Sequence, residues 1–263
     1  MQKKKIILVI FLFSIFPYCK EKVKPGQAEN VQYKHDNKPM EGYLAMPSGV
    51  QDKNPAILLI HEWTGLGPYI ESRARQLADL GYVTFAMDMY GRGIRARDHQ
   101  EAARLSGIYG KDKELMMGRM QAALKILKDN PHVDASKIVA IGYCFGGNAA
   151  IKLGLSGEPL AGVVSFHGML PDITANDLKE IKTEFLVHHG ADDKFIPAET
   201  VSSFQKAFQE AGAALSFTSH RGAVHAFTRP TAGGDTSTGL AYNADADKKS
   251  WKSMQNFLKK VLK

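Results

Sequence analysis

KIVAIGYCFGGNAAIKLGL, residues 137 to 155, changes character around a single cysteine. Lys137 to Tyr143 carries the short apolar run of a strand buried inside a sheet, and Phe145 to Leu155 reads as a helix. Between them stands Cys144, with Gly142 and Gly146 two positions to either side. A sharp strand-to-helix turn needs residues without a Cβ there, because the strained backbone of the turning residue brings neighbouring chain close. The pattern is G-x-S-x-G with sulfur in place of oxygen. Such a turn sets the thiol at a helix N-terminus, where unpaired N–H groups and the helix dipole favour thiolate over thiol. Cys144 is therefore read as a nucleophile rather than as a buried structural cysteine.

Outward from this turn, strand and helix patterns alternate. Two short strands flank DNKP from Val31 onward, and AILLIH (Ala56 to His61) is a buried strand. A helix follows from Ile70 to Leu80, ended by Gly81; YVTFAMDM is a strand; KELMMGRMQAALKIL is a helix stopped near Asn130-Pro131. After the cysteine turn come strands at LAGVVSFHG and TEFLVHHG. Next is a helix from Pro197 to Gly212, then the strand LSFTSHRG and a closing helix from Ala244 to Leu262. This order predicts one α/β domain over residues 31–263, a mostly parallel sheet with helices on both faces.

In such sheets chemistry collects at the carboxyl ends of the strands. Four positions there carry reactive groups: His61-Glu62-Trp63, Cys144, the pair Asp192-Asp193 in GADDKFIP, and His225 in GAVHAF. The chain order nucleophile, acid, histidine is that of the α/β-hydrolases. His225 would take or share the thiol proton and Asp193 is favoured to orient the imidazole, with Asp192 read as the cap of the loop or helix start, although spacing alone does not choose between them. His188 and His189 are neighbours on a strand, so their rings diverge and do not form a metal site. His61, His167 and His220 read as satisfied histidines at strand ends, with His61 near the crevice.

The first residues have another purpose. Lys3, Lys4 and Lys5 precede an apolar run from Ile6 to Phe16, which is the layout of an export signal and too short to span a bilayer. Residues 1–18 are read as that signal, Cys19 as the site of a lipid anchor, and residues 19–30 as a flexible tether, although Phe16-Pro17-Tyr18 departs from the usual small residues before a lipidated cysteine. The expected location is outside the cytoplasm, periplasmic or membrane-anchored. With two cysteines and one of them at that end, Cys144 is a lone thiol rather than part of a disulfide framework. The formal net charge of +7 falls to +4 without residues 1–18, which hold three lysines and no acid. No basic and aromatic interleaving points to nucleic acid.

HEWTGL, DMYGRG, IGYCFGGNAA, GVVSFHG, HHGADDKFIP and GAVHAFTRP together resemble the dienelactone hydrolases, or carboxymethylenebutenolidases, from about Val31 to the end. The resemblance implies an α/β-hydrolase fold with Cys144, Asp193 and His225 as the catalytic residues. It implies that Glu62 lies near the thiol, keeps it protonated at rest by like-charge repulsion, and takes part in its activation. It further implies an oxyanion hole from the backbone N–H groups of Trp63 and Phe145, each donor lowering the barrier by about 3 kcal/mol. Arg229 matches an arginine facing a substrate carboxylate. A second such arginine has no unambiguous counterpart among Arg92, Arg95, Arg97 and Arg104. The expected reaction is hydrolysis of a small ester or lactone through an acyl-thioester, with no metal and no organic cofactor. The alternatives are a non-catalytic, surface-anchored binding protein on the same scaffold and, behind it, a redox sensor thiol.

Overall fold

A computed structural model of the chain describes residues 24–263. The readings made for the export signal and for Cys19 fall on residues outside this range. Among the described residues no helix is long and apolar enough to cross a membrane.

The described residues form a sheet of eight strands: β1 (Ala28–His35), β2 (Lys38–Ala45), β3 (Asn54–Ile60), β4 (Val83–Met87), β5 (Val133–Tyr143), β6 (Gly162–Phe166), β7 (Glu184–Gly190) and β8 (Leu215–His220). Their spatial order is β1-β2-β4-β3-β5-β6-β7-β8. β1 and β2 form an antiparallel hairpin and β2 is antiparallel to β4; from β4 to β8 every pairing is parallel. β1 begins at Ala28, so the last three residues assigned to the tether are strand, and Gly26 is already tied to Pro47 by a backbone bond of 3.0 Å.

Among the described residues six α-helices cover the sheet: α1 (Pro68–Asp79), α2 (His99–Lys111), α3 (Lys113–Lys128), α4 (Phe145–Leu155), α5 (Ala198–Ala211) and α6 (Ala244–Val261). The central strands alternate between two cores, as a sheet buried on both faces requires. Leu58 and Ile60 of β3 and Ile138 and Ala140 of β5 pack with α2, α3, α4 and α5. Ile57 and Leu59 of β3 and Val139 and Ile141 of β5 pack with α1 and α6.

The sequence reading assigned no helix to α2. Gly107 and Gly110 interrupt it and only Ala102, Leu105 and Tyr109 are buried, so its apolar stripe is thin. What starts it is local: the Asp98 carboxylate accepts from the Glu101 N–H at 2.8 Å, an N-cap.

Candidate active site

Cys144 joins β5 to α4 with φ 55 and ψ −116, a conformation that costs a non-glycine residue energy. The surrounding chain enforces it. The Cys144 N–H donates to the Phe166 carbonyl at the end of β6 (3.0 Å), and the Gly147 N–H donates back to the Cys144 carbonyl (3.0 Å). A Cβ on Gly142 would overlap the Gly146 carbonyl, and one on Gly146 would overlap the Ile60 carbonyl, so both glycines are required by close approach. The thiol thereby stands at the N-terminus of α4, partly exposed.

The loop after β8 supplies the imidazole. His225 Nε2 lies 3.1 Å from Cys144 Sγ, and its Nδ1–H donates to Asp193 Oδ2 at 2.8 Å. Asp193, after β7, is buried, and its Oδ1 accepts from the Phe195 N–H at 2.9 Å. Asp192 is exposed. The side chain that caps this loop is therefore Asp193 itself, through its second oxygen, and not Asp192 as the sequence suggested. Burial by itself would drive His225 toward neutrality; the negative charge of a Cys144 thiolate and the bond to Asp193 outweigh it and push the imidazole up to about 10.

The loop after β3 completes the site. His61 is fully buried: its Nδ1–H donates to the Glu62 carbonyl (2.6 Å) and its Nε2 accepts from the Met89 N–H (3.1 Å). Burial holds this imidazole down at about 4, so it is neutral and acts as a strut between the loop and the end of β4. The Tyr90 hydroxyl donates to the Trp63 carbonyl at 2.8 Å and fixes the next peptide. Neither the Trp63 nor the Phe145 N–H donates to a backbone carbonyl among the described residues, as donors kept for a ligand oxygen would require. Glu62 is buried, and its Oε1 is 3.9 Å from Arg229 Nη1.

Burial pushes the Glu62 carboxyl above its ordinary value, although Arg229, His225 and Arg73 each pull it down. The native state therefore holds this proton more tightly than the unfolded chain does. Between the unfolded and native pKa values the folded state binds more protons, so stability falls as pH rises through that window. Glu62→Gln is expected to remove this loss: its melting temperature should match wild type near pH 4 and exceed it at pH 8. Scanning calorimetry of both proteins across that range checks it, and a variant less stable at pH 8 than at pH 4 relative to wild type contradicts it.

Arg229 Nε also donates to Thr231 Oγ1 at 2.9 Å, so the side chain sits against Glu62 at the rim and is about one-third exposed. Of the other arginines, Arg92 turns to Gln32 (3.3 Å) at the far side of β1, while Arg97 and Arg104 pair with Glu101 (3.0 and 3.7 Å). Arg95 bonds the Ile94 carbonyl at 2.8 Å and its neighbour Ala96 donates to the Thr64 carbonyl at 3.0 Å, which places this segment against the glutamate loop. His188 bonds His220 (3.1 Å) on one face of the sheet and His189 packs on Phe217 on the other, as alternation demands. No group of His, Cys, Asp and Glu among the described residues is arranged to hold a metal ion.

Sequence reading overlooked Tyr90, Tyr69, Arg73 and Thr228, and it took His167 for a satisfied histidine. Among the described residues only one His167 nitrogen is bonded, and Nδ1 is buried without a partner. Nothing near these residues in sequence announces them, because Arg73 and Thr228 meet across 155 positions of chain.

Comparison with known proteins identifies the family. The model of the Dienelactone hydrolase family matches residues 40–262. A putative carboxymethylenebutenolidase of Aquifex aeolicus (strain VF5) is 26% identical over 238 residues, covering 89% of this chain and 98% of that protein. The carboxymethylenebutenolidase of Pseudomonas putida is 25% identical over 193 residues, 71% of this chain and 80% of that one. The crystal structure of a dienelactone hydrolase-like promiscuous phosphotriesterase from metagenomic libraries superposes with a TM-score of 0.84 at 34% identity, covering 90% of this chain and 99% of that one. A match running from β2 to the end of α6, over a sheet whose strand ends carry cysteine, aspartate and histidine in that order, places the chain in the dienelactone hydrolase family of α/β-hydrolases.

Proposed function

We propose that this protein hydrolyses small carboxylic esters or lactones through an acyl-thioester on Cys144. The observation that carries the reading is the unbroken line Cys144 Sγ to His225 Nε2 (3.1 Å) and His225 Nδ1 to Asp193 Oδ2 (2.8 Å) at the mouth of an α/β-hydrolase sheet. The thiol proton passes to His225 Nε2 and the sulfur adds to the carbonyl carbon, while the negative oxygen is received by the N–H groups of Phe145 and Trp63. The tetrahedral adduct collapses, the C–O bond breaks, and the leaving alkoxide or enolate takes the proton from His225. Water then attacks the thioester and gives its proton to His225. A second collapse frees the carboxylic acid and returns the proton to the sulfur. Asp193 stabilises the imidazolium at each stage. A thiolate leaves more readily than an amine, so activated esters, enol lactones and thioesters suit this site better than amides. No step requires a metal or an organic cofactor.

The direct test is chemical. Purified protein mixed with excess p-nitrophenyl acetate and acid-quenched within the burst is expected to carry one acetyl group, located by peptide mass spectrometry on the fragment containing Cys144. Acetyl on another residue, with turnover intact, overturns the assignment. Because the relative at 34% identity is described as a promiscuous phosphotriesterase, a second reading extends to phosphotriesters: the same thiolate and the same two donors would receive a P=O group. Paraoxon turnover that disappears in Cys144→Ala supports it. The order of basic and apolar residues before Cys19 supports export with a lipid on that cysteine; the mass of the processed N-terminus tests it.

A further inference from the structure

Among the described residues four non-glycine residues have positive φ, and three of them adjoin His225: Cys144 (55) is bonded to its ring, His167 (41) packs on the ring and Ala226 (60) follows it in the chain. Strain gathered at one place persists only where the surrounding structure over-determines it. Cys144 has its explanation in the turn; His167 does not, since the reaction above gives it no part.

His167 follows β6, is fully buried, and is anchored by its N–H on the His188 carbonyl at 2.8 Å. Its ring meets the His225 ring edge to face, with centroids 5.2 Å apart and planes at 63°, and meets Phe227 at 5.2 Å. Burial keeps this imidazole neutral. Its Nε2 lies 2.8 Å from Thr228 Oγ1.

Thr228 is itself clamped. Its Oγ1 is 2.8 Å from the Tyr69 hydroxyl, and its carbonyl accepts from the Tyr69 hydroxyl at 3.0 Å and from Arg73 Nη2 at 3.1 Å. Arg73 Nε donates to the Tyr69 oxygen (3.3 Å), and Arg73 Nη2 pairs with Asp247 Oδ1 of α6 (2.5 Å). The guanidinium lies 4.9 Å from the Trp251 ring centroid and 5.3 Å from that of Tyr69. One buried cation thus fastens α1 and α6 to the carbonyl three residues after His225.

The proton count fixes the direction of this chain. His167 Nδ1 has no partner among the described residues, and an unpaired buried acceptor is tolerated better than an unpaired buried N–H. Nε2 therefore carries the proton and donates to Thr228 Oγ1, which donates in turn to the Tyr69 oxygen. His167 is held by the Thr228 hydroxyl, which is held by Tyr69, and Arg73 fixes both the Tyr69 oxygen and the Thr228 carbonyl.

We propose that His167 and Thr228 are positioning residues: Thr228, clamped by Tyr69 and Arg73, fixes the His167 imidazole, and that ring braces His225 so that Nε2 faces Cys144 while Nδ1 stays on Asp193. The inference rests on the thiol chemistry proposed above. A ring free to tilt keeps its bond to Asp193 and loses alignment with the sulfur, and misplacement of a reacting group by a fraction of an ångström is costly in rate.

The test compares Thr228→Val, Thr228→Ser and His167→Phe with wild type in the full chain, using p-nitrophenyl acetate turnover and alkylation of Cys144 by iodoacetamide at pH 7. Thr228→Val and His167→Phe are expected to lower kcat about tenfold with KM within about twofold, and to slow alkylation about fivefold. Thr228→Ser keeps the hydroxyl and is expected to stay within about twofold of wild type. Wild-type kcat and alkylation in Thr228→Val and His167→Phe, with only the melting temperature changed, overturns the brace; so does a Thr228→Ser variant as impaired as Thr228→Val, which would assign the effect to packing. Cys144→Ala serves as the reference. If it retains turnover, the thiol chemistry fails, and the alkylation rates in the other variants still decide whether the brace exists.

Discussion

Cys144→Ala is expected to lower kcat/KM for p-nitrophenyl acetate by at least about 1,000-fold, leaving only what binding and the oxyanion donors supply on their own. The size follows from the loss of the proposed covalent route, since among the described residues the hydrogen-bond partner of His225 Nε2 is Cys144 Sγ. Folding should be little affected, because the substitution removes one partly exposed sulfur and leaves the backbone turn to be held by the Phe166 carbonyl and the two glycines. A melting temperature within a few degrees of wild type is the control. Cys144→Ser sharpens the test. It keeps the geometry but offers a hydroxyl that ionises far less readily, so it should recover only a small part of the rate, whereas a purely structural cysteine would tolerate serine without loss. Retained turnover in Cys144→Ala removes the basis of the proposed mechanism.

How much of this site can be read from sequence depends on how local its cause is. The cysteine turn was legible because its requirements are local: an apolar strand, two glycines at fixed offsets and a helix start, all within residues 137–155. Order along the chain then indicated an acid and a histidine, because each follows a strand and parallel strands bring their carboxyl ends together. The choice of Asp193 over Asp192 needed either the family resemblance or the structure, since both stand in the same loop and only Asp193 turns inward to His225. The brace behind the imidazole was not legible at all. Tyr69 and Arg73 share α1, but His167, Thr228 and Asp247 come from three other parts of the chain, and an arginine or tyrosine on a helix looks the same in sequence whether it faces water or a functional loop. The same holds for α2, whose thin apolar stripe gains its meaning only from the core it covers.

Asp193→Asn is expected to cost nearly as much as loss of the thiol, about 1,000- to 10,000-fold in kcat, through a change of tautomer rather than of shape. The Phe195 N–H donates to Asp193 Oδ1, so an asparagine here must turn its carbonyl oxygen to Phe195 and its NH2 to His225. A donor then faces Nδ1, which has to become an acceptor, and the imidazole proton moves to Nε2. In the proposed mechanism that is the nitrogen that takes the proton from Cys144, 3.1 Å away. The imidazolium also loses the carboxylate that stabilises it, which removes one of the influences holding His225 up at about 10. Two observations separate this account from simple misfolding. Circular dichroism and melting temperature should stay close to wild type, because the amide fits the same buried space and satisfies the same Phe195 donor. Alkylation of Cys144 by iodoacetamide near pH 7 should slow sharply, since without an imidazole able to accept its proton the sulfur remains a thiol. An Asp193→Asn variant that hydrolyses ester and alkylates at wild-type rates would mean that the carboxylate only packs the loop. The assignment of His225 as the proton acceptor would then have to be abandoned together with the orientation that supports it.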